Sequence, residues 1–319
     1  MAIRAVIGFE HLPQNDVSWI NYATHGMYRG ADLSAQNTIV NGWLVSNATA
    51  SGAERTTIVL DPYLVAPVAK IWFGFRCRSV LNARGGAGLI YLNGTYIALD
   101  SIFGLTGTTS YYEFSYELST GTVERWVNGV KIANSAAGGN LRAMTLGLEV
   151  KGSLNGRYDF RDFYICDDQP GGPVGPLGPQ VVYPITLDSA TASDWTTTPS
   201  NATLLEALSD PGAIPTAKIA SSTLTKGPLT ASLKTTAPST VSIAAIELLA
   251  GARSGTGNAA KIGAKLTLSG TDTAGVIANV APTTYSYNVG LGVFQKNPQG
   301  ASWSAANIDA TTLTLTPDA

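Results

Sequence analysis

The sequence predicts an all-β protein built of two units. Short runs that alternate apolar and polar residues recur along the chain, with the period of two that is typical of half-buried strands. Turn residues punctuate these runs: 34 of the 319 residues are glycine, and Asn-Gly pairs begin at Asn41, Asn93, Asn128 and Asn155. Short strands separated by such turns, with little helical pattern, favour a sandwich or a barrel.

The stretch Tyr111–Ala133 carries the strongest of these signals and predicts two successive hairpins. Apolar residues alternate with polar ones up to Leu118, and a Ser-Thr-Gly-Thr break follows. A second run stops at Asn128-Gly129 and resumes at once. Asn-Gly between apolar strands predicts a type I′ turn, because both central residues of that turn need positive φ.

Residues 1–168 are predicted to form the first unit, since strand patterns follow one another there without a helical stretch. Its strand candidates are Ala5–Glu10, Thr38–Ser46, Thr56–Leu60, Ala69–Val80, Gly88–Leu92, Tyr96–Leu99, Tyr111–Leu118, Val123–Val127, Val130–Ala133, Ala143–Val150 and Arg157–Cys166.

Residues 169–183 are predicted to be a linker, because their Gly-Pro and Pro-Gly pairs can neither extend a helix nor occupy a central strand. Proline-rich connectors of this kind act as semi-rigid spacers. Composition also changes here: 22 of the 27 aromatic residues precede residue 184.

Residues 184–319 are predicted to form a second, jelly-roll-like β-sandwich. Short helices are expected at Thr203–Leu208 and Ser304–Ile308, where packing must hold them because helices of this length are marginal alone. The strand candidates are Thr216–Ala220, Leu229–Leu233, Ser242–Ser254, Ala260–Ser269, Thr273–Ala281, Thr284–Phe294 and Thr311–Thr316.

Charge and hydropathy argue against several classes of function. Charged residues make up only 13% of the chain and the net charge is −2 with no basic block, so a nucleic-acid partner has no electrostatic support. No apolar run is long enough for a membrane span, and the N-terminal segment predicts no signal peptide. Cys77 and Cys166 each lie in a strand-like run; a disulfide is conceivable, but free buried thiols are the favoured interpretation.

Two segments of the first unit carry a family pattern. The run VERWVNGVKI, followed about thirty residues later by RYDFRDFYICDD, resembles the concanavalin A-like (laminin G-like) sandwich. More narrowly, it is similar to the version found in bacteriophage tail and baseplate appendage proteins, in which a closing strand like Phe163–Asp167 runs into a Gly-rich connector. The resemblance implies a virion structural protein assembled in the host cytoplasm, a homo-oligomer (a trimer above all), other virion proteins as partners, and no enzymatic activity.

Acidic residues are the first candidates for catalytic or metal-binding groups. Glycoside hydrolysis needs two carboxyls about 5 to 9.5 Å apart. Glu113 and Glu117 share a strand face but are too far apart, whereas Glu117 would face Glu124 if the loop paired Leu118 with Val123. An acid pair or a cation site is the functional interpretation, and solvated glutamates on the outer face, met by an arginine, are the favoured one.

A second acidic cluster consists of Asp159, Asp162, Asp167 and Asp168. These carboxylates could begin a Ca²⁺ site, and Ca²⁺ is the one cofactor that the residues suggest. The nearby Arg157 and Arg161 could equally pair with them, and salt bridges are the favoured interpretation. His11 and His25 lack zinc-site spacing.

Aromatic side chains are the remaining candidates, because a ring can pack on the apolar face of a sugar. Trp126, Tyr91 and Tyr96 are the predicted carbohydrate contacts; a two-residue turn at Asn93-Gly94 would place the two tyrosines opposite each other. Core packing, or cover by another copy of the chain, is the favoured interpretation for all three. Trp195 and Trp303 are expected to anchor loops on the second sandwich.

Three functions therefore follow as hypotheses. The leading one is a phage structural subunit of a tail fibre, a baseplate or a capsid decoration, with host-surface attachment as a possible role. The alternative is a carbohydrate-binding module for a host glycan. A glycoside hydrolase is the weakest, because no carboxylate pair has suitable spacing.

Overall fold

The computed structural model describes residues 2–8, 37–47, 53–59, 68–81, 87–92, 95–98, 108–117, 119–136, 145–151, 157–170, 175–209, 219–221, 227–252, 260–280 and 286–318. Contacts within the backbone divide the chain into two compact units, residues 1–182 and 183–319. Both are built of antiparallel sheets, so the predicted all-β fold class with two β-sandwich units is confirmed.

The first unit contains twelve strands in its described part. They are β1 Ala2–Ile7, β2 Asn37–Val40, β3 Trp43–Asn47, β4 Ala53–Val59, β5 Lys70–Leu81, β6 Ala87–Leu92, β7 Thr95–Ala98, β8 Thr109–Glu117, β9 Thr122–Val127, β10 Val130–Ala136, β11 Thr145–Lys151 and β12 Arg157–Asp167. An eight-stranded sheet has the order β10-β9-β8-β5-β12-β3-β2, with β1 also paired to β12. A four-stranded sheet has the order β4-β11-β6-β7.

Two of the Asn-Gly pairs form the predicted turns. Asn41 and Gly42 both have positive φ, as do Asn128 and Gly129, which is the type I′ pattern. The first turn divides the single predicted strand Thr38–Ser46 into β2 and β3. The pairs beginning at Asn93 and Asn155 lie outside the described residues.

The two faces of the eight-stranded sheet differ sharply in chemistry. One, the apolar face, carries alternate residues of β5, β8 and β12. Phe75 is fully buried there. The centroid of its ring lies 6.1 Å from that of Phe114 and 5.6 Å from that of Phe163. The opposite, polar face carries Gly74 and Glu113, which pair across β5 and β8. Residues 111–116 of β8 are all buried, so both faces are covered at this strand.

The second unit contains ten strands and two helices among its described residues. They are β13 Ile185–Thr191, β14 Thr196–Thr198, α1 Leu204–Ser209, β15 Ile219–Ser221, β16 Leu229–Thr235, β17 Ile246–Ala252, β18 Ala260–Leu268, β19 Thr271–Asp272, β20 Val276–Val280, β21 Ser286–Phe294, α2 Ala305–Asp309 and β22 Thr311–Asp318. The strands β13, β14 and β19 were not predicted. The last two are short polar runs without an alternating apolar pattern, whereas in β13 the alternation is confined to residues 185–188.

The core of the second unit is shared by three sheet strands, a separate strand pair and a helix. The six-stranded sheet has the order β13-β16-β22-β18-β19, with β20 paired to β18, while β17 pairs with β21 and β14 with β15. The core side chains are Leu229, Ala231, Leu233, Ile246, Leu248, Ala264, Leu266, Leu291, Trp303, Ile308, Leu313 and Leu315.

Both predicted helices are present, and each begins one residue later than predicted. The first residue of each predicted range, Thr203 or Ser304, is the N-cap and precedes the helix. Thr203 and Glu206 form a capping box, in which each backbone N–H donates to the other's side chain. The Ser304 hydroxyl accepts a hydrogen bond from the Asn307 N–H.

Cys77 and Cys166 are free and buried, which confirms the prediction of unpaired thiols. Burial raises the pKa of both, so neither favours the thiolate. Within the described residues, none of the helices has the length and hydropathy needed to span a bilayer.

Candidate functional site

Cross-strand pairing assembles the polar face in rows. One row joins Tyr164, Gly74, Glu113, Trp126 and Lys131, taken from β12, β5, β8, β9 and β10. Residues paired in this way point to the same side of a sheet. The predicted sugar contact Trp126 therefore stands beside Glu113, on the face opposite the apolar one.

Trp126 belongs to a small charged and aromatic group, which we call the Trp126 patch: Trp126, Lys131, Glu124, Lys70 and Trp72. The Lys131 ammonium lies 5.5 Å from the centroid of the half-buried Trp126 ring, and Lys70 lies 5.3 Å from that of Trp72. Glu124 bridges the two ammonium groups, at 2.6 Å from Lys131 and 2.8 Å from Lys70. The patch thus combines ring surface with hydrogen-bonding charges that reach solvent.

The position of Glu124 corrects one prediction. Its cross-strand neighbour is Ser115, not Glu117, because Tyr116 pairs with Val123. The loop is longer than the predicted four residues: Gly121 has positive φ, and its N–H donates to the Glu117 carbonyl. No like-charged pair therefore faces across this hairpin, and Glu124 is met by two lysines rather than by the expected arginine.

The ion pairs of Glu124 make the stability of the folded chain depend on pH. Hydrogen bonds from Lys131 and Lys70 lower the pKa of Glu124 from 4.5 to about 2. Because the pKa of Glu124 is lower in the folded state, its ion pairs stabilise the fold above about pH 4.5. This stabilisation is lost as the pH falls towards 2. We expect the melting temperatures of the wild type and Glu124→Gln to differ at pH 6 and to converge by about pH 2. A difference that does not change with pH would contradict this assignment.

Glu113 is buried on the same face, where the sequence predicted a solvated glutamate. It is 1% exposed, and its Oε1 accepts hydrogen bonds from the Tyr164 hydroxyl at 2.6 Å and the Gly178 N–H at 2.8 Å. Its Oε2 has no hydrogen-bond partner in the described part of the chain. Desolvation raises the pKa of Glu113 despite these donors.

The cover over Glu113 is the end of the predicted linker. We call residues 175–182 the strap; they belong to the first unit. The Leu177 N–H donates to the Tyr164 hydroxyl, the Arg76 guanidinium donates to the Gln180 carbonyl, and the Val182 N–H donates to Asp162. Composition alone predicted a spacer here. It could not predict the docking of the strap, because the contacting residues lie 13 to 104 positions away in sequence.

Three of the four aspartates in the acidic cluster lie on β12 and pair with arginines, as the favoured interpretation predicted, although mostly with arginines from other strands. Arg78 pairs with Asp159 and Arg4 with Asp167. Asp162 lies 2.8 Å from Arg76 and 3.3 Å from Arg161. The remaining member, Asp168, accepts from the Ala69 N–H.

No group of three or more metal-binding side chains occurs among the described residues, which leave out His11 and His25. The donor set of the acidic cluster fits ion pairing with guanidinium groups better than Ca²⁺, because the buried carboxylates already face cations.

The other two predicted sugar contacts lie in a different sheet. Tyr91 and Tyr96 are directly paired between β6 and β7 of the four-stranded sheet, which is the pairing predicted for a two-residue turn. Their side chains are outside the described part of the structure. The three predicted contacts are therefore not brought together on one sheet.

Both tryptophans of the second unit anchor loops, as predicted. The Trp303 indole N–H donates to the Phe294 carbonyl, and the Trp195 indole N–H donates to the Gly227 carbonyl. Trp195 also borders a groove of about 280 Å³, which Leu204 and Ser200 help to line.

No protein family matches the chain, and no curated protein matches it. Several solved structures resemble part of it. A sialidase has a TM-score of 0.33 at 7% identity, over 41% of this chain and 16% of that one. The carbohydrate recognition domain of Emp47p has a TM-score of 0.32 at 9% identity, over 44% and 88%. The catalytic domain of a GH131 β-glucanase from Podospora anserina has a TM-score of 0.32 at 15% identity, over 53% and 95%. At such scores these likenesses carry no argument about function.

Proposed function

We propose that this chain is a non-catalytic attachment protein whose first unit binds saccharide at the Trp126 patch. The observation that carries the proposal is the half-buried Trp126 ring beside Lys131, on a face that is otherwise largely buried. An aromatic ring offers an apolar platform for a pyranose, while ammonium and carboxylate groups bond to its hydroxyls. Glu124 and Lys70 supply these groups next to the ring.

The surroundings of the carboxylates support binding rather than hydrolysis. Hydrolysis needs one carboxyl to donate a proton while another acts as base or nucleophile. Glu124 is held by two lysines, and Glu113 lies under the strap with its Oε1 occupied by the Gly178 N–H. Glu124 therefore lacks the freedom that a catalytic acid or nucleophile requires, and without it Glu113 lacks the second carboxylate of a hydrolytic pair.

Replacing Trp126 with alanine should weaken saccharide binding by about tenfold, because the sugar loses its ring platform. A glycan array followed by titration of the best ligand against the full chain measures this effect. Val130→Ala is the control, since Val130 is 66% exposed and lies in the same β9–β10 hairpin but outside the patch. Equal affinities for both variants would overturn the assignment of the patch.

We further propose that the chain works in a phage particle, as a tail-fibre, baseplate or decoration subunit that assembles as a homo-oligomer, with a trimer favoured. The sequence resemblance and the low content of charged residues, 13%, support this setting. Mass photometry should detect an oligomer, and purified particles should contain the chain. Monomers alone, together with absence from particles, would reject the role.

A further inference from the structure

The strap is held mainly by polar backbone contacts. Its amide groups at Leu177, Gly178 and Val182 donate to the sheet, and the Gln180 carbonyl accepts from it. In contrast, Val181 keeps 43% of its surface exposed. Each such hydrogen bond adds only about 1 kcal/mol net, so a segment bound by a handful of them opens at low cost.

The surface below the strap is equipped to bind something in its place. Tyr111 and Tyr164 are buried aromatic residues there. Glu113 accepts a hydrogen bond from Tyr164, and its other carboxylate oxygen has no partner in the described part of the chain. The Arg76 guanidinium lies 5.5 Å from the centroid of the Tyr111 ring and donates to the strap. A lone buried carboxylate oxygen is costly and needs a physical explanation.

The strap presents to this surface the groups that a sugar would present. Its N–H groups donate to Glu113 and Tyr164, as sugar hydroxyls can, and its Gln180 carbonyl accepts from Arg76, as a hydroxyl or ring oxygen can. The surface is also continuous with the patch, because Glu113 and Trp126 are direct cross-strand neighbours.

We propose that the strap is an intramolecular surrogate ligand that fills a cryptic saccharide subsite formed by Tyr111, Glu113, Tyr164 and Arg76. This inference rests on the proposed function, since the subsite extends the Trp126 patch. A bound oligosaccharide that reaches beyond Trp126 displaces the strap and takes over its hydrogen bonds. Binding at the subsite and docking of the strap exclude each other.

The test loosens the strap without touching the sheet. Gly178→Ala adds a Cβ that meets nothing within 4 Å, but alanine is disfavoured at φ +74°. Gly270→Ala is the matched control, since Gly270 has φ +80°, equally open space and a place in the second unit. Hydrogen exchange on the full chains should show the amides of residues 177–182 exchanging about tenfold faster in Gly178→Ala only.

A glycan array printed with bacterial oligosaccharides then probes the subsite. We expect Gly178→Ala to bind oligosaccharides up to about tenfold more tightly than the wild type and Gly270→Ala, and monosaccharides equally. Adding Glu113→Gln should remove the gain, whereas Glu117→Gln, on the same strand and face, should keep it.

The outcomes separate this proposal from the proposed function. Equal binding of oligosaccharides by Gly178→Ala and the wild type, despite faster exchange of the strap, overturns the cryptic subsite and leaves the Trp126 patch standing. Unchanged hydrogen exchange of the strap in Gly178→Ala also overturns the cryptic subsite. The backbone strain of alanine at this position would then be too small to detach the strap. An array without any signal for all variants rejects both proposals.

Discussion

Replacing Phe75 with alanine should lower the free energy of unfolding of the first unit by about 3–5 kcal/mol. Phe75 is fully buried in a central strand. Its ring lies within 5.6–6.1 Å, centroid to centroid, of four other aromatic rings. Alanine would leave a cavity among four rings that are held on two strands, β8 and β12, on either side of β5, so the site cannot collapse easily.

Chemical denaturation of the full chain, followed by tryptophan fluorescence, measures the effect. Four of the six tryptophans belong to the first unit and two to the second, so the unfolding curve must be fitted with two transitions. Val130→Ala serves as control, because a side chain that is 66% exposed contributes little. A loss below about 1 kcal/mol for Phe75→Ala would mean that the apolar face is not the core of this unit.

Replacing the neighbouring Gly74 with alanine should cost about 1–3 kcal/mol through overpacking on the opposite face. A Cβ at this position would overlap Cε1 of the Tyr164 ring and would stand 3.0 Å from the Tyr111 hydroxyl. Since Tyr164 donates to Glu113, displacing its ring also disturbs the strap. Hydrogen exchange of residues 175–182 should therefore rise together with the loss of stability.

Gly263→Ala is the matched control for this substitution. Gly263 also lies within a paired strand, but its new Cβ would meet Thr316 at 3.6 Å, which is ordinary van der Waals contact. Alanine there should be neutral or slightly stabilising, because it restricts the unfolded chain. Similar losses for both glycine variants would show that the polar face is not closely packed around Gly74.

Local patterns predicted much of the fold because they act over a few residues. The alternation in Tyr112, Phe114 and Tyr116 predicted β8, and Asn128-Gly129 predicted the β9–β10 turn. Such signals depend on side-chain period and on allowed φ values, which neighbours in sequence decide. Register was less secure: a positive φ at Gly121 lengthened one loop and moved Glu124 away from Glu117.

The site was predictable only in part. Trp126 was identified from its ring and its place in a strand. Lys70, which helps to hold Glu124, could not be identified in this way because it precedes Glu124 by 54 residues and lies on another strand. The arginine partners of the aspartates on β12 were equally hard to predict, because they come from strands that are distant in sequence. Arg4 and Arg78 reach them through strand order, which no spacing in the sequence encodes.

By itself, then, the sequence determined an all-β chain with a composition break near residue 183 and Trp126 on a strand of its first unit. The tertiary structure alone decided that Glu113 is buried and that the strap covers it. The reason is physical: a Gly-Pro segment has no periodicity that could predict its docking, and its backbone amides find acceptors only once β8 and β12 lie side by side with β5.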